Sequence, residues 1–308
     1  MNRLYLDIGY GYTKSITNNR PEHAVSFPSA LAKVGGLVGQ EKNKRAILQM
    51  AEREYYFGTD ALRFSRMPIV TRDRNRPDFF LRFLVLGCLS EHKLISGKIE
   101  VLTALPVEWV QDAQELKDVL LYDYHGRRLD TKFSCDVVVE NVRVFPQPMA
   151  TFFYWASMSQ SMWDDGHVTL IVDIGTGTYN LAVVESGRWV DDMSTSQPHG
   201  MGEVVDRALS IQESQAGARD RLHIARNRLW NDDEEMLRHA ERPAAVLGAE
   251  INQAIASTIS NTRVDEIILS GGGTKFVEKH IREQYGDKFP ILKSADPQLN
   301  VVRGLATI

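Results

Sequence analysis

Aliphatic runs and helix-like stretches alternate along this chain, and the alternation predicts an α/β protein. Residues 4–7 read as a first strand, Gly9-Tyr10-Gly11 as a tight turn, and a second strand starts at Tyr12. Residues 18–95 are mixed and polar, with charge clusters at 41–45 and 71–76, the pattern of a solvated, variable sublobe. Within it, Tyr55-Tyr56-Phe57-Gly58 ends a short strand. Residues 78–89 offer Phe79, Phe80, Phe83, Leu84 and Leu86 as the core face of a helix. Residues 98–105 form a buried strand that Pro106 stops. A short helix is expected at 114–121, and strands at 133–139 and 142–145. Pro146-Gln147-Pro148 reads as a rigid break, followed by an apolar helix over 149–158.

A second strand-rich block begins at Val168. Residues 168–173 are almost all aliphatic or β-branched, as in a strand buried on both faces. Gly175 and Gly177 interrupt it, residues 181–184 resume it, and Gly187 predicts a hairpin turn. Helices are expected at 202–213 and 243–260, the second with Pro243 in its first turn. Residues 265–269 form another buried strand before Gly271-Gly272-Gly273. Thr274 is placed to cap a helix that runs to Tyr285 and stops at Gly286.

One segment occurs twice. Leu6-Asp7-Ile8-Gly9-Tyr10-Gly11-Tyr12-Thr13 matches Val172-Asp173-Ile174-Gly175-Thr176-Gly177-Thr178-Tyr179, more than half the chain away. Both copies follow an aliphatic strand and precede a β-prone run, which predicts a duplicated domain. Glycine after a strand permits a tight turn and lets backbone N–H groups approach an anion. An aspartate at the strand end repels phosphate but can hold Mg²⁺ through water. Two such loops would grip a polyphosphate from both sides. The glycine triplet has two readings, a bare surface for a nucleoside or a tight strand-to-helix turn. Neither the G-x-G-x-x-G fingerprint nor the Walker sequence is present.

Composition narrows the class without naming it. With 36 basic and 40 acidic residues, the formal charge is −4, so no global field points to nucleic acid or an anionic membrane. The two cysteines, Cys88 and Cys135, form no C-x-x-C and read as free thiols in a reducing compartment. No apolar signal core or stretch of transmembrane length occurs, so a cytoplasmic protein is expected.

The motifs together resemble the actin-like ATPase superfamily, and within it the ParM-type and archaeal actin-like proteins. Leu6 to Lys14 resembles the family's first phosphate motif, Asp173 to Thr178 the second, and Leu269 to Gly273 the adenosine motif. Phe57-Gly58, Ala61 and Leu105-Pro106-Val107 are similar to the same subgroup. Val144 to Pro148 resembles the first interdomain connection and Asn300 to Leu305 the second. The resemblance implies an actin-like (ribonuclease-H-like) fold of duplicated domains, two lobes around a nucleotide cleft. Domain I would span 1–160, with a sublobe at about 18–95 and a returning C-terminal helix at 298–308. Domain II would span 161–297, with a sublobe at about 205–262.

Roles follow by position. Asp7 and Asp173 would hold Mg²⁺ through water. Gly9, Gly11, Gly175 and Gly177, with Thr176 and Thr178, would donate to phosphates, and Lys14 would reach the β- and γ-phosphates. Tyr10, Tyr12, Thr13, Gly202 and Thr274 complete the expected binding set, and Gly271 to Gly273 would lie against the nucleoside. Gln147 falls where the family positions the attacking water; glutamine orients water by hydrogen bonding. Tyr10 and Tyr12 stand where many relatives carry small hydroxyl residues. Arg226 and Arg228 match the family's adenine-flanking Lys/Glu pair poorly, and Arg303 replaces a small residue. The implied function is a Mg²⁺-dependent ATPase, with ATP or GTP as ligand, that polymerises with itself into cytoskeletal filaments. Plasmid or other DNA segregation through a centromere-binding adaptor is the implied role, without direct nucleic-acid or membrane contact. A small-molecule kinase or a non-polymerising scaffold of the same superfamily is the competing class.

Overall fold

The structure is a computed structural model that describes residues 1–35, 39–65, 67–70, 76–216 and 222–308. It divides into two compact units. The first holds Met1–Leu105, Trp109–Phe153 and Val301–Ile308; the second holds Pro106–Glu108 and Tyr154–Asn300.

The first unit is built on one sheet. Its strands are β1 (Asn2–Ile8), β2 (Tyr12–Thr17), β3 (Arg20–Pro28), β4 (Leu31–Lys33), β5 (Ile47–Met50), β6 (Arg53–Phe57), β7 (Ser96–Leu105), β8 (Asp123–Arg128) and β9 (Phe133–Pro146). They lie in the order β3-β2-β1-β7-β9-β8-β5-β6-β4. Helices α1 (Gly58–Phe64), α2 (Asp78–Glu91), α3 (Ala113–Leu120) and α4 (Gln147–Ala156) accompany them. Phe80, Phe83, Leu84 and Leu86 of α2 pack with Leu4, Leu6, Val101 and Val137 of the sheet. These are the apolar positions that predict the helix.

The second unit repeats the motif. Its strands are β10 (Val168–Ile174), β11 (Tyr179–Glu185), β12 (Arg188–Gln197), β13 (Glu266–Ser270) and β14 (Ile291–Lys293), in the order β12-β11-β10-β13-β14. Its helices are α5 (Met201–Ala216), α6 (Leu222–Trp230), α7 (Glu234–Asn261) and α8 (Thr274–Tyr285), and the last helix of the chain, α9 (Asn300–Leu305), belongs from Val301 on to the first unit. In each unit a central strand pairs antiparallel with the next strand in sequence and parallel with a later one: β1 with β2 and β7, β10 with β11 and β13. The blocks β3-β2-β1-β7-β9 and β12-β11-β10-β13-β14 therefore share one order and one pattern of directions.

Several sequence expectations change. Residues 133–146 form one strand, because Glu140 is a bulge between the pairs Val139–Ile99 and Asn141–Glu100 rather than a turn. Pro146-Gln147-Pro148 is no loop: β9 ends at Pro146 and α4 starts at Gln147. Pro148 then occupies the first turn, where a missing N–H breaks no intrahelical bond. The long helix begins at Glu234, capped by the Asp233 carboxylate, which accepts from Met236 N at 3.0 Å. Pro243 lies inside it, because the buried stripe Met236, Ala240, Ala244, Leu247, Ile251 and Ile255 runs on through the proline. Gly273, not Thr274, is the N-cap of α8; the Thr274 hydroxyl donates to Ser270 O at 2.7 Å. The polar 18–95 region is not simply solvated. It extends the sheet and buries its own small core of Ala30, Ala32, Ile47, Tyr56, Ala61 and Leu62. Of its second charge cluster, residues 71–75 lie outside the described residues.

Candidate phosphate-binding loops

Each central strand ends in the same turn. Gly9 N donates to Tyr12 O at 3.1 Å, and Gly175 N donates to Thr178 O at 2.8 Å. The chain doubles back so closely that a Cβ on Gly9 would lie 2.9 Å from Tyr12 O, and one on Gly175 3.1 Å from Thr178 O. Glycine at these two positions is a steric requirement of the turn.

At the first loop, Asp7 and Lys14 face each other across the β1–β2 pair, and Lys14 Nζ meets Asp7 Oδ2 at 2.7 Å. Both side chains are nearly buried, so the pair acts in a weak dielectric. Gln147, the first residue of α4, donates through Nε2 to Asp7 Oδ1 at 3.1 Å. The direct passage from β9 into α4 is what puts it there. Ser29 braces the loop from the side: its hydroxyl donates to Gly9 O at 2.7 Å, and its N–H donates to Gly11 O at 3.0 Å. Thr13 is fully buried with its hydroxyl 2.9 Å from Ser29 Oγ, so it holds the loop through Ser29. Arg76 reaches the same loop, donating from Nη1 to Ile8 O at 2.6 Å with its guanidinium carbon 4.5 Å from the Tyr10 ring centre. Tyr10 meets Trp109 edge-on at 5.6 Å. Tyr12, the first residue of β2, is half-buried.

At the second loop the charge pattern differs. The residue opposite Asp173 across β10–β11 is Asn180, at the place Lys14 holds in the first unit. Asn180 is 1% exposed, and neither its Oδ1 nor its Nδ2 has a hydrogen-bond partner among the described residues. The start of α5 secures the loop: Met201 N donates to Gly175 O at 3.1 Å, and Gly202 N donates to Thr176 O at 2.7 Å. The N–H of Gly202 thus holds the loop. Thr178 is buried and Thr176 half-buried.

The glycine triplet packs against the end of β10. Gly271 has φ +83°, and a Cβ there would lie 2.2 Å from Ile174 O. Gly273 N donates to Ile174 O at 2.9 Å, and its Cβ would meet Ile174 Cγ2 at 2.4 Å. Two of the three glycines are therefore demanded by the strand-to-helix turn itself. Gly272 alone is open, with only the Gln298 side chain near its Cβ position at 3.6 Å. Thr274 is fully buried, and its hydroxyl donates to Ser270 O. Arg228 is engaged by Asp233 at 2.9 Å and Glu235 at 2.5 Å, beside the α6–α7 turn.

Among the described residues no three His, Cys, Asp or Glu side chains cluster as a metal site. Asp7 and Asp173, at 3% and 6% exposure, each offer a carboxylate at a strand end, which suits an ion that keeps most of its water. Both cysteines are free and buried, and burial pushes their thiols up, to about 12 for Cys88 and about 11 for Cys135. Neither is poised as a nucleophile.

Sequence reasoning missed three residues of these loops. Ser29 and Arg76 carry no local signal, because their contacts cross the fold. Asn180 was legible: it stands at the same offset from its aspartate as Lys14 does from Asp7.

Two sheets of one order, each ending its central strand in the same glycine turn, give the chain an actin-like fold of duplicated domains. Residues 6–149 match the family model of the actin-like proteins N-terminal domain. Over 99% of the chain the structure is similar to a subunit of a 15-stranded ParM filament from Clostridium botulinum, at TM-score 0.80 and 18% identity over 97% of that chain. It is also similar to an archaeal actin homologue in complex with ADP, at TM-score 0.76 and 15% identity over 99% of this chain and 98% of that one. Bacillus thuringiensis ParM with AMPPNP matches at TM-score 0.69 and 13% identity, over 99% of this chain and 97% of that one. Among curated protein sequences none matches. No helix of the described residues is long and apolar enough to cross a membrane.

Proposed function

We propose that this protein binds the phosphates of ATP at its two loops with Mg²⁺, hydrolyses it, and assembles with copies of itself into filaments. The observation that carries the reading is the duplicated turn, Gly9–Tyr12 and Gly175–Thr178, on equivalent strands of two equivalent sheets. A fold with one such turn has an ordinary hairpin. A fold that builds it twice, each time beside a buried aspartate, has a device for anions and their counter-ion. The ADP and AMPPNP complexes of the similar structures support the nucleotide, and the ParM filament supports the assembly. ATP is the ligand to test first and GTP the second.

The residues present suit such a ligand. Backbone N–H groups of the loops and the ammonium of Lys14 supply donors, and Asp7 and Asp173 suit a hydrated Mg²⁺. Asn180 offers a buried amide that has no hydrogen-bond partner among the described residues, and an unmade hydrogen bond there costs about 1–3 kcal/mol. A hydrated ion or phosphate at the second loop supplies the partner. Mg²⁺, when bound, offsets charge on the phosphate oxygens. Gln147 is held by Asp7 through Nε2, which leaves its Oε1 as the acceptor that orients a water. Phosphoryl transfer asks mainly for positioning and charge stabilisation, and a glutamine serves the first. The role we assign is DNA segregation, with a centromere-binding adaptor as the partner that holds DNA. A chain of formal charge −4 is better suited to an adaptor than to phosphate backbones.

Differential scanning fluorimetry tests the site: ATP at about 100 times its dissociation constant should stabilise the fold by about 2.7 kcal/mol. No shift in Tm with either ATP or GTP sinks the site. Ultracentrifuge pelleting and light scattering with ATP and Mg²⁺ test the filament, which fails if no salt condition gives assembly. Gln147→Ala should keep ATP binding and slow phosphate release by about 10²-fold or more; unchanged hydrolysis removes Gln147 from the mechanism.

A further inference from the structure

Arg76 lies two residues before α2 and far in sequence from the first loop, yet it touches that loop at two points. Its Nη1 donates to the carbonyl of Ile8, the last residue of β1, at 2.6 Å. Its guanidinium carbon lies 4.5 Å from the ring centre of Tyr10, the middle residue of the turn. One planar group therefore grips the chain on both sides of Gly9. Trp109 buttresses Tyr10 from another direction. Lys14 Nζ comes within 3.2 Å of the Cβ position of Gly9, so the turn carries cations from two elements.

The group is not an ordinary surface arginine. Burial lowers its pKa, while Tyr10 and Asp7 oppose that shift. The guanidinium offers five N–H donors in a rigid fork, of which Ile8 takes one and Tyr10 engages another. Capping the Ile8 carbonyl takes only a neutral donor, whereas this group brings a positive charge out of water and into the field of Asp7. A polyphosphate at this turn gives the charge a purpose.

We infer that Arg76 is a positioning residue of the first phosphate loop: clamping Ile8 and Tyr10, it fixes the Gly9–Gly11 amides and lends its charge to the β- and γ-phosphates of a nucleotide. The inference rests on the ATP-binding reading above, and extends it to a residue outside the repeated motif. It also ties phosphate binding to the chain that enters α2.

Isothermal titration of the full chain with ATP, ADP and AMP in the presence of Mg²⁺ tests it, with Arg76→Gln and Arg76→Lys as variants. Arg76→Gln should weaken ATP and ADP by about ten- to a hundred-fold, the range of a lost charge-assisted contact, and leave AMP within about two-fold. Its salt dependence of ATP affinity should flatten as well, which loss of a merely structural brace would not cause. Arg76→Lys keeps the charge but not the fork, and should recover only part of the loss. If Arg76→Gln fails to fold, Arg76→Lys and Tyr10→Leu carry the test, each expected to weaken ATP more than AMP. Unchanged ATP affinity in a folded variant, or equal loss for ATP and AMP, overturns the role of Arg76 alone. Failure of the wild-type chain to bind ATP or ADP overturns the underlying site and this inference with it.

Discussion

The two glycine turns share a backbone and differ in what surrounds it. Both close with one N–H to C=O bond over three residues, and both follow a buried aspartate. Around the first stand Lys14, Arg76 and Gln147, brought from β2, the approach to α2 and the start of α4. Around the second the residue opposite the aspartate is a neutral asparagine, and the loop is held by α5 amides. Duplication thus preserved the part that the chain path dictates, the turn, and let the charged part diverge. A turn tolerates no Cβ at Gly9 or Gly175, whereas the position across from the aspartate holds a lysine in one unit and an asparagine in the other.

Substitutions that act on one loop at a time break this comparison or sharpen it. The largest effect is expected at Gly271, which supports the second loop. Gly271→Ala sets a Cβ 2.2 Å from the Ile174 carbonyl at a positive φ, and should destabilise the second unit by about 4 kcal/mol or more. Urea denaturation measures it, and a loss below about 1 kcal/mol would mean the turn is looser than described. Next comes Lys14→Met, which leaves the Asp7 carboxylate buried without its ion-pair partner. About 3 kcal/mol of stability should go, together with ATP affinity. Stability equal to wild type would show that Gln147 and Arg76 satisfy Asp7 by themselves.

Acid should act on the first unit through His92. Its ring Nε2 lies 3.0 Å from Ser15 Oγ on β2, and burial lowers its pKa to about 4, with His23 contributing. A histidine lowered in the folded state is neutral there while the unfolded chain protonates. Stability is therefore full above about pH 6.5 and falls as the pH drops toward 4, by about 3 kcal/mol in total. His92→Gln should flatten that part of the stability–pH curve, and an unchanged curve would place the acid response elsewhere. The smallest expected effect has the opposite sign. Asn180→Leu removes a buried amide that has no partner among the described residues and should stabilise the nucleotide-free protein by about 1 kcal/mol while weakening ATP binding. If it destabilises the nucleotide-free protein and leaves ATP affinity alone, Asn180 belongs to the packing and the two loops are less alike in purpose.

Much of the fold was legible because its signals are local. The run 168–173 marks β10, the aromatic and aliphatic positions of 78–89 mark α2, and the repeated Asp-Ile-Gly-x-Gly marks both turns. The boundaries that failed are places where burial overrode a local sign. Pro243 reads as a helix start, but the apolar stripe of α7 passes through it. Glu140 reads as a gap between strands, but the long β7–β9 pairing absorbs it as a bulge. Pro146 and Pro148 read as a break, although one ends a strand and the other sits in a first helical turn.

The sequence by itself determined the two strands that end in an aspartate and a glycine turn, and the duplication that makes them a pair. Those follow from the period of the apolar residues and from the steric freedom of glycine, which act over a few residues. Only the tertiary structure decided which side chains meet at the turns. Gln147 reaches Asp7 across 140 positions and Arg76 reaches Ile8 across 68, and no local pattern encodes contacts of that span. It also decided that Gly271 and Gly273 serve the close approach of Ile174, leaving Gly272 as the open member of the triplet. The physical reason is the same in each case: a side chain's partner is set by where the sheet order brings distant segments together, and that order is fixed by the burial of the whole core.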